Sequence, residues 1–141
     1  MAVPLVLLDT NVLVAGLRSK NGASFRLLSL VGRGYFEICL SVPVVLEYEE
    51  VLLDQLEHLH FSESDVQDLL DYFCSVGSHQ EIFYLWRPYL RDTKDDLLLE
   101  AAVAGNCYAI ITFNRRDFVG AERFGVQILT PGEFLRRIGG L

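Results

Sequence analysis

Cysteine and histidine are scarce in this sequence, with three of each among 141 residues. The cysteines are odd in number and widely spaced, which fits neither a disulfide framework nor a zinc site. The histidines do not show the spacing of metal ligands either. We therefore expect free, buried thiols at Cys39, Cys74 and Cys107.

Long hydrophobic runs are also missing, since no apolar stretch reaches the length of a membrane-spanning helix. The first seventeen residues are apolar, but they lack a basic leader and are interrupted by Asp9 and Asn11. This pattern does not fit a signal peptide. We expect a cytoplasmic protein with no membrane partner.

Three common catalytic motifs are absent. The sequence contains no glycine-rich phosphate loop, no GxSxG nucleophile motif and no GxGxxG dinucleotide motif. Nucleoside-triphosphate hydrolysis, serine-hydrolase chemistry and dinucleotide binding therefore lack the residues that they need.

Basic residues are outnumbered, with 12 Lys and Arg against 19 Asp and Glu, which gives a net charge of −7. Taken alone, an acidic chain disfavours a nucleic-acid partner. The acidic excess lies mainly in residues 47–71, however, while basic residues cluster near Lys94 and at Arg115 and Arg116. Divalent cations bound to a carboxylate site would offset its charge locally. The net charge therefore does not exclude a nucleic-acid substrate.

What the chain does contain is an alternation of strand and helix patterns. The run Leu5 to Leu8 is apolar without alternation, as in a strand that is covered on both faces. Similar strand patterns occur at 36–40, 108–112 and 126–129, with helical patterns between them. We predict a single domain spanning residues 1–141, with a three-layer α/β/α fold and a mostly parallel sheet of four or five strands.

Capping residues mark several helix starts. Ser41 with Pro43 opens one helix, and Ser62 with Asp65 forms a capping box for another. Thr93 is the expected N-cap of an apolar helix. An aromatic stretch before it fits the core, a dimer surface or a partner groove, with the core favoured; it comprises Phe83, Tyr84, Trp86 and Tyr89.

Polar side chains follow two of the predicted strands. Asp9 and Asn11 come directly after the first, and the segment from Thr112 to Asp117 follows a later one. Glu47 lies at the edge of the apolar stripe of its helix. This position is equally compatible with a side chain exposed to solvent and with one that faces the site. Because ligands bind beyond the carboxyl ends of parallel strands, these groups are expected to meet at one edge of the sheet.

The acids expected at this edge come from four separate segments and include either Asp95 or Asp96. Oxygen-only ligands select hard cations such as Mg²⁺ or Mn²⁺. Hard cations in pairs suit the cleavage of phosphodiester bonds. Three nearby basic residues are candidates for holding the substrate backbone, namely Lys94, Arg115 and Arg116.

Together these motifs resemble those of the PIN-domain nucleases. The similarity covers essentially the whole chain in the right order, and no single motif carries it. The matching segments are Asp9-Thr10-Asn11-Val12-Leu13, Glu47, Asp92-Thr93-Lys94-Asp95-Asp96, and Thr112-Phe113-Asn114-Arg115-Arg116-Asp117-Phe118. The closing segment, Ile128 to Leu135, is similar to the end of the VapC-like subgroup, the toxins of toxin–antitoxin pairs.

The resemblance implies a Mg²⁺- or Mn²⁺-dependent endoribonuclease that is held by a cognate antitoxin protein, works on RNA and forms a homodimer. Many relatives have an aspartate where this chain has Asn114. Asp117, one turn later, either replaces that acid or only caps the local turn of helix. The implied metal-binding and catalytic residues are Asp9, Glu47, Asp95 and Asp117. The implied supporting residues are Asn11, Thr112, Asn114 and Asp96.

Two other functions remain open at this stage. The first is a PIN-like module that binds RNA or a protein with little catalysis, which the acidic charge and Asn114 favour. The second is a phosphatase of the haloacid dehalogenase type, which also begins with an aspartate at a strand end. That chemistry needs a second aspartate two residues later, where this chain has Asn11.

Overall fold

The computed structural model describes residues 3–82, residue 90 and residues 92–139, with the side chain of Thr93 left out. Its centre is a parallel sheet of five strands in the order β3-β2-β1-β4-β5. The strands are β1 (Leu5–Leu8), β2 (Glu37–Leu40), β3 (Ser78–His79), β4 (Ala109–Ile111) and β5 (Gln127–Leu129).

In the described part of the chain, six α-helices alternate with the strands. They are α1 (Thr10–Arg18), α2 (Ala23–Ser29), α3 (Val42–Asp54), α4 (Glu63–Val76), α5 (Thr93–Ala104) and α6 (Pro131–Ile138). Short 3-10 helices occur at Leu56–His58, Arg115–Phe118 and Ala121–Phe124. The predicted three-layer α/β/α fold with a parallel sheet is confirmed.

The central strand β1 is buried as its apolar run predicts. Val6, Leu7 and Leu8 are at most 1% exposed, because helices cover both faces of the strand. Leu8 pairs with Ile111 at the carboxyl ends of β1 and β4. The chain leaves β1 toward β2 on one side and later returns to β4 on the other. The crevice between β1 and β4 is therefore the switch point, where α/β sheets bind ligands.

Local signals placed most helix starts correctly. The Ser41 side chain accepts a hydrogen bond from the Val44 amide, and Ser62 and Asp65 form the predicted capping box. The Thr93 prediction is wrong by one residue: the N-cap of α5 is Asp92, whose carboxylate accepts a hydrogen bond from the Lys94 amide. Strand β3 was not predicted, because two residues are too few to produce a period.

Other predictions have mixed outcomes. All three cysteines are free, with Cys39 and Cys107 buried and Cys74 only half-buried. The aromatic stretch Phe83, Tyr84, Trp86 and Tyr89 lies outside the described residues. Among the described helices, none combines the length and the apolar character needed to cross a membrane.

Candidate functional site

A cavity of about 230 Å³ opens at the switch point between β1 and β4. It brings together residues from the turns and helices that follow the strands. Its lining residues are Asp9, Thr10, Asn11, Glu47, Val51, Asp92, Lys94, Asp95, Leu98, Asn114 and Asp117. We call this cavity the acidic pocket. All four residues of the implied acidic quartet line it.

Asp9 is fixed on the floor of the acidic pocket by its neighbour across the sheet. Its amide donates a hydrogen bond to the Ile111 carbonyl at 2.9 Å, which extends the β1–β4 ladder by one residue. The fully buried Thr112 hydroxyl donates to Asp9 Oδ2 at 2.7 Å. The Thr10 hydroxyl lies 3.3 Å from Oδ1. These contacts hold a buried carboxylate in one orientation.

Thr112 also binds the side-chain amide of Asn11 and the backbone amide of Asn114. Its hydroxyl oxygen accepts hydrogen bonds from Asn11 Nδ2 at 3.4 Å and from the Asn114 backbone amide at 3.0 Å. Since the same hydroxyl donates to Asp9, it uses its donor and both of its acceptor positions. Thr112 lies below the lining of the acidic pocket and acts through the residues that form it.

Helix α3 places Glu47 against the acidic pocket. The next residue, Tyr48, is 1% exposed, and its hydroxyl donates a hydrogen bond to the carbonyl of Leu8, the residue before Asp9. This contact fixes the middle of α3 relative to the end of β1. Glu47 is 8% exposed, and its Oε1 lies 3.7 Å from Lys94 Nζ. Of the two positions left open by the sequence, Glu47 therefore takes the one facing the pocket.

Asp95 and Asp96 have different surroundings. Asp96 is 1% exposed, and its Oδ1 accepts a hydrogen bond from the Leu90 amide at 2.8 Å. Asp96 therefore ties Leu90 to the first turn of α5. Asp95 is half-buried and lines the acidic pocket. The structure thus places Asp95 with the other acids and gives Asp96 a structural contact.

Asp117 reaches the acidic pocket through a short 3-10 helix. Its amide donates to the Asn114 carbonyl at 3.1 Å, and the neighbouring Phe118 is fully buried and anchors the turn. Both Asn114 and Asp117 line the pocket. The turn therefore brings an acid to this side of the pocket three residues after Asn114.

The carboxylates of the acidic pocket act on one another. Burial, together with the charges of Asp9 and Asp117, raises the pKa of Asp95 to about 7. Burial also raises the pKa of Asp9; the Thr112 hydrogen bond offsets part of this, and the charge of Asp117 adds to the rise. Such shifts indicate uncompensated negative charge, which a bound cation would stabilise.

The donor set of the acidic pocket fits a hard cation. Every candidate ligand is a carboxylate or amide oxygen, and such oxygens are the donors that Mg²⁺ and Mn²⁺ take. In the part of the chain that the structure describes, no three Asp, Glu, His or Cys side chains yet surround a common point as a metal shell does. The acids therefore line one pocket without meeting at one point.

The predicted substrate-binding residues lie at the rim. Lys94 is more than half exposed and pairs with Glu47. Arg115 forms an ion pair with Glu133 of α6, whereas Arg116 is exposed and forms no ion pair with any described residue. The pocket also includes Asp92, which the sequence did not identify as a site residue. The signal that could have identified Asp92 is its position at the start of an apolar helix.

Comparison with known proteins supports the fold. The chain is similar to a chain in the crystal structure of VapBC2 from Rickettsia felis bound to a DNA fragment from their promoter, with a TM-score of 0.59 and 17% sequence identity. The match covers 89% of this chain and 98% of that one. No curated protein matches the sequence.

The family profile described as "PIN domain" matches residues 5–116. This segment runs from the first residue of β1 to the second residue of the 3-10 helix that carries Asp117, and it includes Asp9, Glu47 and Asp95. PIN domains are generally nucleases. The chain belongs to the PIN-domain family.

Proposed function

We propose that this chain is a Mg²⁺- or Mn²⁺-dependent endoribonuclease, and that it is the toxin of a type II toxin–antitoxin pair. The observation that carries the proposal is the acidic pocket. Five carboxylates line one cavity at the switch point of the sheet, and the four of the implied quartet come from four separate segments. Burial and the charges of the neighbouring acids raise the pKa of Asp95, and a bound cation would stabilise these carboxylates in their charged form.

In this proposal each residue of the pocket has a defined role. Asp9, Glu47, Asp95 and Asp117 would hold the cation, while Thr112 and Asn11 keep Asp9 in place. A bound divalent cation would contribute to phosphodiester hydrolysis in two ways: it would lower the pKa of a water molecule and stabilise the leaving oxygen. Lys94, Arg115 and Arg116 attract the phosphate backbone of the substrate to a pocket that is otherwise negative.

The proposed cellular setting follows from the same resemblance. We infer one functional domain over residues 1–141, a homodimer, a cytoplasmic location and a cognate antitoxin protein that blocks the nuclease. The VapBC2 structure, which is similar in fold, supports the idea of a partner protein. Expression of the chain alone should arrest growth, and co-expression of a small protein encoded beside it should relieve the arrest.

Cleavage of labelled single-stranded RNA by the purified chain tests the enzymatic part. We expect cleavage with Mg²⁺ or Mn²⁺, none with EDTA, and a loss of roughly a hundredfold or more in Asp9→Asn and Glu47→Gln. Asp54→Asn is the matched control, because Asp54 is an exposed acid on the same helix as Glu47. Equal cleavage by all four proteins would show that the activity does not come from this pocket.

One observation favours the second candidate, a PIN-like binding module with little catalysis. The Lys94 ammonium lies 3.7 Å from Glu47 and already supplies a positive charge to that acid. In a binding module this pair would persist, and calorimetry would detect no Mg²⁺ or Mn²⁺ binding. Absent metal binding together with absent RNA cleavage would exclude the nuclease and leave the binding module.

A further inference from the structure

The acidic pocket is the middle of three neighbouring cavities. A cavity of about 330 Å³ on one side shares Thr10, Asn11 and Val51 with it. A cavity of about 690 Å³ on the other side shares Asn114 and Asp117. The shared residues place the three cavities side by side, and we call this row of cavities the groove.

Charge changes sign along the groove. The acids are concentrated in the middle, whereas the first side cavity contains Arg18 and the second contains Arg115 and Arg116. Arg18 and Arg116 are exposed and make no ion pair with any residue that the structure describes. A phosphodiester chain that crossed the acidic pocket would therefore meet a cation on both sides of it.

An exposed aromatic ring lies in the larger side cavity. Phe113 is 48% exposed, although it directly follows the fully buried Thr112. Its amide lies 3.5 Å from Asn11 Oδ1, so its backbone is held beside the acidic pocket. Single exposed hydrophobic residues are common on protein surfaces. Phe113 differs from such residues because it lines the same cavity as Arg116 and Asp117.

We propose that a single strand of RNA occupies the groove, with one base stacked on Phe113 and with flanking phosphates held by Arg18 and Arg116. Stacking on an aromatic ring requires a base whose face is free, and bases inside a duplex are already stacked. This inference rests on the RNA substrate of the proposed function and adds the path of the strand and the residues that hold it.

A second surface of the molecule has similar side chains and provides a matched control. A cavity of about 470 Å³ includes Arg26, Arg33 and Tyr35, and Tyr35 is 49% exposed. This cavity shares no lining residue with the acidic pocket. It adjoins the amino end of β2, which is the opposite edge of the sheet.

The test measures RNA binding by fluorescence anisotropy in an Asp9→Asn background, which prevents cleavage. Phe113→Ala, Arg18→Ala and Arg116→Ala should each weaken binding of a labelled single strand by roughly tenfold. Phe113→Trp should retain the affinity, because it keeps a stacking surface. Tyr35→Ala and Arg33→Ala should change nothing. A blunt RNA duplex should bind more weakly than the single strand and should not respond to Phe113→Ala.

Cleavage by the same side-chain variants, measured with Asp9 intact, separates this inference from the proposed function. Unchanged binding in all three groove variants, while the intact protein still cleaves RNA, would overturn the path and leave the nuclease standing. Lost binding in the groove variants of a protein that cleaves no RNA would support the groove and remove the nuclease. Unchanged RNA binding with weakened antitoxin binding would assign Phe113 to a protein contact and refute the proposal.

Discussion

The Tyr48 hydroxyl donates a hydrogen bond to the Leu8 carbonyl, 40 residues away in the sequence. Leu8 precedes Asp9 and Tyr48 follows Glu47, so one contact joins the segments that carry two acids of the pocket. Both residues are at most 1% exposed. This contact makes the geometry of the acidic pocket sensitive to a residue that does not line it.

Removing this hydroxyl in Tyr48→Phe should lower the free energy of unfolding by about 1 kcal/mol and should also weaken Mg²⁺ binding. Tyr72→Phe is the control, because the Tyr72 hydroxyl donates to the Val31 carbonyl at 2.8 Å away from the acidic pocket. Urea unfolding and Mg²⁺ calorimetry on both variants measure the two effects. A similar loss of Mg²⁺ affinity in Tyr72→Phe would show that the effect is general destabilisation.

Thr112→Val should reduce Mg²⁺ affinity by roughly tenfold to a hundredfold, because residues that orient a metal ligand act on the metal through it. Valine has nearly the same shape but leaves Asp9 Oδ2 and the Asn114 amide without the hydroxyl. Thr112→Ser keeps the hydroxyl and should stay close to the unaltered protein. Equal affinities in the valine and serine variants would contradict this role.

The pKa of Asp95, raised from 3.8 to about 7, predicts a pH-dependent stability in the absence of metal. The folded state holds this proton more tightly than the unfolded chain does. Its contribution to stability is therefore complete below about pH 4 and is lost as the pH rises toward 7. Urea unfolding in EDTA across this range should show the decline.

Asp95→Asn should remove part of that decline and should make the metal-free protein more stable at about pH 8 than the unaltered chain. Asp54→Asn, at an exposed position outside the acidic pocket, is the control and should leave the pH profile unchanged. Mg²⁺ should stabilise the unaltered protein most at high pH. A metal-free profile that Asp95→Asn does not alter would refute the assignment.

Asp117 and Asn114 differ in their predicted importance. Asp117→Asn should slow RNA cleavage by roughly tenfold or more, since it removes a carboxylate that faces Asp9 and Asp95. Asn114→Ala should have a smaller effect, because the contact of Asn114 with Thr112 uses its backbone amide. Adding Asn114→Asp to the Asp117→Asn variant should restore part of the rate. Full activity in Asp117→Asn would mean that three acids suffice.

The sequence predicted the fold and most of the pocket because both depend on strand ends. Apolar runs located β1 and β4, and parallel pairing then forced Asp9 and Thr112 to meet. The choice between Asp95 and Asp96 was beyond local patterns, since both lie in the first turn of α5. The structure separates the two, because Asp96 accepts a hydrogen bond from the Leu90 amide whereas Asp95 lines the acidic pocket.

Two further features required the tertiary structure. The hydrogen bond from Tyr48 to Leu8 joins distant segments. The helical period of α3 predicts that Tyr48 is buried, but it does not indicate that its hydroxyl donates to a backbone carbonyl of β1. The ion pair between Lys94 and Glu47 depends on how α5 packs beside α3. Periodicity assigns a residue to a face of its helix, whereas the partner of that face depends on the whole fold.

The position of β1 between β2 and β4 has a consequence for synthesis of the protein. The Thr112 hydroxyl that orients Asp9, and Asp117 beside it, are translated more than a hundred residues after Asp9. The Thr112 amide in turn donates to the Leu129 carbonyl of β5. A nascent chain on the ribosome therefore lacks the complete pocket until β4, β5 and the turn between them have emerged.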